Sequence, residues 1–185
     1  MTTRIGYLFR YPGIPTGLSE ELLELDEVTK LSRTRATVVG YNDRPLILGG
    51  VDDAVFDLIK TDEIEGNRAD FSNQNALGIL KPSAEREELK VGDEVTLTIP
   101  EEGERTYVVS YIFDWTTQPP AEFFVLLNNN SFFLDESLDT ELYFNVDKAT
   151  PELDEKINDI VDNYPGVEIR DEEGLVEEAN NQIQL

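Results

Sequence analysis

The 185-residue sequence has no cysteine, no histidine, one methionine and one tryptophan. Without cysteine there is neither a disulfide scaffold nor a thiolate metal site. Without histidine the commonest general base is missing, and with it the Ser-His and Cys-His dyads and the imidazole ligands of most catalytic zinc sites. No apolar stretch approaches the ~18 residues of a membrane span; Phe123-Phe124-Val125-Leu126-Leu127 is a strand-sized run. Met1-Thr2-Thr3-Arg4 is not followed by a signal-peptide hydrophobic segment, so the chain as it stands is expected to be soluble. Basic residues are scarce, 15 against 39 acidic, for a net charge of -24. That balance argues against a nucleic-acid partner, which needs a basic footprint, and disfavours an anionic membrane surface. Walker A, G-x-S-x-G and EF-hand spacings are absent as well.

What remains is ample for folding. Hydrophobic residues make up 39% of the chain, enough for one domain or two small subdomains sharing a core. The acidity is uneven. Residues 1–50 hold six basic and six acidic residues, 51–134 six and 17, and 135–185 three and 16. A solvated acidic face that keeps the protein soluble explains this most simply; an acidic patch recruiting cations or a basic partner is the alternative.

Two hairpins stand out. Residues 89–99 and 105–113 are alternating, β-branched runs joined by Pro100-Glu101-Glu102-Gly103-Glu104. Residues 36–41 and 46–51 form the second, across Asn42–Pro45. A first strand over 5–11 is expected to end at Pro12, Gly13, Pro15 and Gly17. Ser19 is a candidate N-cap for a helix carrying Leu22, Leu23 and Leu25. One or two helical turns are expected over 53–60, a strand over 76–80, a helix from Pro82 to about Leu89 and a strand over 122–127. Leu142, Phe144 and Val146 alternate with polar residues as a half-buried strand. Thr150 and Pro151 then open a helix whose stripe is Leu153, Ile157, Ile160 and Tyr164, closed by Pro165-Gly166. Val167–Ile169 is a strand, and Leu175, Ala179 and Ile183 mark a last helix. The expected architecture is α+β: an α/β lobe from residues 1–51 and 136–185, with a β-rich lobe of 52–135 inserted between them.

Candidate sites are few. Glu101, Glu102 and Glu104, like Asp52 and Asp53, cluster in turns, where solvation keeps carboxylates ordinary rather than catalytic. No catalytic, cofactor-binding or metal-binding residue is assigned, though calcium held by distant loops stays open. Gly49-Gly50 reads as a strand-end kink rather than a phosphate loop. Asn129-Asn130-Ser131 matches a glycosylation sequon. The aromatic loops are the best contact candidates. Trp115 either caps a small β core or joins Phe132 and Phe133 in an exposed surface for a partner.

Taken in order, several segments resemble the extracytoplasmic domain of ABC-transporter permeases of the MacB/FtsX-like family. These are Gly49-Gly50-Val51-Asp52, Ile64-Glu65-Gly66-Asn67-Arg68, the hairpin Leu89–Leu97 with Thr106–Ile112, and Tyr164-Pro165-Gly166-Val167. The likeness covers about residues 18–183 and departs after Leu127, at Asn128-Asn129-Asn130-Ser131-Phe132-Phe133. It implies a large loop between two membrane helices at the extracytoplasmic face of the cell membrane, excised here from both. It also implies that the α/β lobe is porter-like, and it implies no enzyme activity and no cofactor. The implied partners are a cytoplasmic ATPase acting through the membrane part, a second permease subunit, and an extracytoplasmic substrate or protein. Two other classes stay open: a free-standing secreted acidic module binding a cation or glycan, and a hydrolase using two carboxylates.

Overall fold

The computed structural model describes residues 4–117, 119–134 and 138–171. Its fold is α+β. In chain order it begins with β1 (Arg4–Pro15), α1 (Thr16–Leu23), β2 (Val28–Tyr41), β3 (Arg44–Val51), α2 (Val55–Leu58), β4 (Thr61–Gly66) and α3 (Arg68–Phe71). There follow β5 (Ala76–Leu80), α4 (Lys81–Arg86), β6 (Glu94–Ile99), β7 (Gly103–Trp115) and β8 (Phe123–Leu126). A 3₁₀ turn (Leu127–Asn129), α5 (Ser131–Leu134), β9 (Leu138–Val146), α6 (Pro151–Asp162) and β10 (Glu168–Asp171) complete it. The expected helix over 175–183 lies outside the described residues. The chain divides into two compact units. Among the described residues, unit 1 holds 4–34, 54–58 and 138–171, and unit 2 holds 35–53, 59–117, 119–134.

Unit 1 is an antiparallel sheet in the order β10-β1-β9-β2. Read as β1-α1-β2 followed by β9-α6-β10, this is the split β-α-β arrangement of ferredoxin-like folds. α6 forms as its sequence dictates. Thr150 Oγ1 accepts the Leu153 N–H at 3.2 Å, Pro151 occupies the first turn, and Glu152 and Asp154 face the positive helix end. Leu153, Ile157 and Val161 form its buried edge and pack with Leu18, Leu22, Leu142 and Phe144. The stripe continues from Ile157 to Val161, four residues on, rather than to Ile160, three residues on, which is only half-buried. Two expectations for the N-terminal part are corrected. The Pro-Gly segment does not end β1, which shifts register between Phe9 and Ile14 and resumes at Ile14↔Asp139. Ser19 is not the cap of α1: the helix starts after Pro15, and the Ser19 hydroxyl donates to Thr16 O at 2.8 Å.

Unit 2 is a closed ring of strands. β2 neighbours β3, β3 runs parallel to β8, β8 antiparallel to β5, β5 parallel to β7, and β7 antiparallel to β6. β6 returns to β2 at Gly40↔Thr98 and closes the circuit. β4 adds to the outer part of β7. The interior holds Val39, Leu46, Leu48, Leu77, Ile79, Val95, Leu97, Val109, Phe123 and Val125. The 36–41/46–51 hairpin forms, with Asn42 and Asp43 at φ 48° and 59° as its two-residue turn. Residues 35–51 therefore belong to the ring and not with the chain ends, because β3 takes β8 as its parallel neighbour and β2 takes β6. Gly49-Gly50 is not a kink either. Both lie inside β3, and a Cβ at Gly50 would stand 2.6 Å from Leu127 Cδ2 and 2.8 Å from Phe133 Cδ2. Close packing, not turning, requires the glycine. Gly66 meets both demands, with φ +75° and a would-be Cβ 2.2 Å from Ser110 O.

Candidate functional site: a polar cleft in unit 2

The aromatic loop residues separate into interior and rim. Trp115 is 8% exposed, stacks on Phe124 at 5.3 Å and 16°, and donates its indole N–H to Thr117 Oγ1 at 2.9 Å. Phe113, Tyr111 and Phe71 extend that cluster. Phe133 is 1% exposed and belongs to the ring interior. Side chains buried to this degree present little surface to a partner. Phe132 alone of the three is half-buried, 4.6 Å from the Phe133 ring and with the Arg105 guanidinium 5.3 Å above its own.

Phe132 stands beside a cleft of about 380 Å³ lined by Gln74, Asn75, Arg105, Thr106, Tyr107, Asn129 and Asn130. Four carboxamides, two hydroxyls and one cation make it polar, and among the described residues no carboxylate lines it. Its floor is fixed by hydrogen bonds. The Tyr107 O–H donates to Asn130 Oδ1 at 2.8 Å, and Asn130 Nδ2 donates to Leu126 O at 2.9 Å. Asn129 Nδ2 donates to Ser72 O at 3.1 Å and Asn73 O at 3.3 Å, tying the 127–130 turn to the segment before β5. That occupation leaves the sequon asparagine poorly placed to carry a glycan. Burial pushes the Tyr107 phenol above its ordinary value, which keeps it a neutral donor. The Arg105 charge is matched by Glu102, three residues back. Sequence reasoning found the Asn-Asn-Ser-Phe-Phe loop but not Gln74, Asn75 or Thr106, which carry no local signal.

The turn carboxylates have ordinary surroundings. Arg68 grips Asp53 through Nε (3.0 Å) and Nη2 (2.7 Å), and Glu102 is held by Arg105. In unit 1, Asp139 and Glu141 are buried on β9, where the Tyr143 O–H donates to Glu141, and neither lines the cleft. Among the described residues no group of three or more acidic, histidine or cysteine side chains is arranged to hold a metal ion. No helix among them is long and apolar enough to cross a membrane.

Solved structures match this chain along most of its length. A domain of a protein described as a permease, from Porphyromonas gingivalis, is 15% identical with a TM-score of 0.59, covering 91% of this chain and 87% of that one. The periplasmic region of MacB from Actinobacillus actinomycetemcomitans is 8% identical with a TM-score of 0.65, covering 97% and 92%. The extracellular domain of the noncanonic ABC-type transporter YknZ from Gram-positive bacteria is 16% identical with a TM-score of 0.60, covering 91% and 100%. At these identities the likeness is one of fold. No family profile and no curated protein matches the sequence.

Proposed function

We propose that this chain is the extracytoplasmic domain of an ABC-transporter permease, handling a substrate or partner protein rather than performing catalysis. The observation that carries the reading is where unit 1 receives and releases the chain. β10 pairs antiparallel with β1, placing Gly6 opposite Asp171 and Phe9 opposite Glu168. The two described ends therefore leave from the same end of one sheet, as a domain strung between consecutive membrane segments requires. The likeness in fold to the permease domains supports the same reading. In it, a separate cytoplasmic ATPase drives the membrane part, a second permease subunit completes the transporter, and the domain carries movement between the membrane and what it binds outside.

Two measurements test this. The complete gene product should carry hydrophobic spans of about 20 residues on both sides of the chain. These 185 residues hold no cysteine, so once any cysteine elsewhere in the complete gene product is replaced, a single Glu155→Cys on the exposed face of α6 gives a clean label. A membrane-impermeant maleimide should modify it in intact cells, once any outer membrane is permeabilised. Modification only after lysis would overturn the assignment.

A further inference from the structure

The wall of unit 2 has a gap at the cleft. β6 covers one edge of β7 from Val108 to Gly103, at Glu94↔Val108 through Ile99↔Gly103. On the other edge β5 begins only at Ala76↔Val108. Among the described residues, no strand lies beside one edge of 103–107 of β7. The alternation of backbone groups shows which amides face the gap. The Val109 N–H donates to Asp93 O at 2.9 Å and its carbonyl accepts from Gly92 at 2.8 Å, both on the β6 side. The Val108 N–H points the other way, to Asn75 O at 2.8 Å. Thr106, two residues earlier, presents its N–H and C=O on that same open edge, and among the described residues neither has a backbone partner there. Its side-chain hydroxyl is engaged elsewhere, 2.9 Å from Thr96 Oγ1.

We propose that this edge docks an extended segment of a partner protein, which continues the line of β5 past its first residue and pairs with Thr106. At a rise of roughly 3.3 Å per residue, the free length of β7 accommodates about three or four residues. Strand addition of this kind draws affinity from main-chain hydrogen bonds and selectivity from the side chains around them. Here the surroundings suit a peptide. The Gln74 and Asn75 carboxamides can pair with a second backbone, being donor and acceptor at once, while Asn129, its Nδ2 already given to Ser72 and Asn73, offers its Oδ1 as an acceptor. The charge is also defined. The cleft opens beside the β6–β7 turn, where Glu101 and Glu104 are exposed and make no ion pair among the described residues, while Arg105 is already matched by Glu102. The favoured segment is therefore basic. This inference stands on the geometry of unit 2 and does not require the transporter reading, so a failed surface-labelling experiment would leave it intact.

The test uses the 185-residue chain and short capped peptides followed by amide chemical shifts and hydrogen exchange. Acetyl-Lys-Thr-Lys-Val-amide should shift the signals of Thr106, Asn75 and the Asn129 side chain, and slow exchange at the Thr106 amide. Backbone N-methylation of the peptide should abolish the effect, and acetyl-Glu-Thr-Glu-Val-amide should bind more weakly. Thr106→Pro removes the outward N–H but no β6 pairing, and proline is tolerated on a strand edge. It should weaken binding about tenfold, the equivalent of one backbone hydrogen bond. Should that variant misfold, the N-methylated peptide tests the same bond on the unaltered protein. Undiminished binding of the N-methylated peptide would overturn the proposal. So would no shift with the lysine peptide, or shifts at these residues produced by maltotriose instead.

Discussion

Unit 1 covers one face of an open antiparallel sheet with α1 and α6, whereas unit 2 closes its strands on one another and fills the ring with their own side chains. The two cores therefore depend on different kinds of residue. Unit 1 rests on aliphatic stripes at helical spacing, from Leu153, Ile157 and Val161 against Leu18 and Leu22. Unit 2 adds to its aliphatic interior a packed run of rings, Phe71, Tyr111, Phe113, Trp115 and Phe124. The only tryptophan lies in unit 2, so its emission reports that unit, while the helix signal near 222 nm weighs towards the longer helices of unit 1.

This contrast can be broken by substitution. Phe124→Ala should have the largest effect, about 3–5 kcal/mol of stability, because the ring is fully buried against Phe113 and Trp115. Urea unfolding followed by tryptophan emission measures it; a loss below about 1 kcal/mol would mean the ring cluster is incidental. Ile157→Ala should cost about 2–5 kcal/mol, read first in the helix signal. If both variants move both signals equally, the two units unfold as one and the contrast does not extend to stability. Thr150→Ala should cost about 1 kcal/mol through the lost cap of α6, with Thr150→Ser restoring it.

The smallest effect is a matter of pH. The Tyr164 O–H donates to Glu21, and this bond, together with burial, pushes the phenol up to about 12. In unit 2, burial first, then the Glu63 charge, raises Tyr111 to about 12. In both cases the fold favours the neutral phenol. Their contributions are complete below the unfolded value of about 10 and are lost as pH rises from there through about 12. Tyr164→Phe should flatten part of the alkaline loss seen in the helix signal and leave the tryptophan-reported loss unchanged. An identical alkaline profile in both signals would show that Tyr164 does not titrate as its partner dictates.

The same contrast explains what was legible in the sequence. α6, its Thr150 cap and the β6–β7 hairpin were readable because their signals are local: a 3.6-residue stripe, a hydroxyl before a proline, strict alternation across a polar turn. Ala76–Leu80 is buried at every position, so alternation cannot say what it pairs with, and its parallel match to β7 is not written nearby. The edge strand β4, Thr-Asp-Glu-Ile-Glu-Gly, was missed because it is mostly exposed and acidic, which suits an edge but resembles a loop. Trp115 illustrates the other limit. An aromatic between polar neighbours reads equally as a core cap or a contact surface, and only the stack on Phe124 decides. The cleft drew residues from three separated segments; 105–107 belong to the legible hairpin and 129–130 to the conspicuous polar-aromatic loop, but 74–75 carry no local signal and nothing local brings the three together.

The pairing of Arg4 with Val146 also sets a schedule. As the chain is made, β1, α1 and the first half of β2 exist long before β9 and β10, their partners, have been synthesised. Unit 2, whose strands all lie between residues 35 and 126, can close in the interval. During that wait the first strands carry unpaired edges, the condition in which chains associate wrongly. Unit 1 is thus begun first and finished last, and a chain released after residue 134 would hold every strand of the ring but only half of the open sheet.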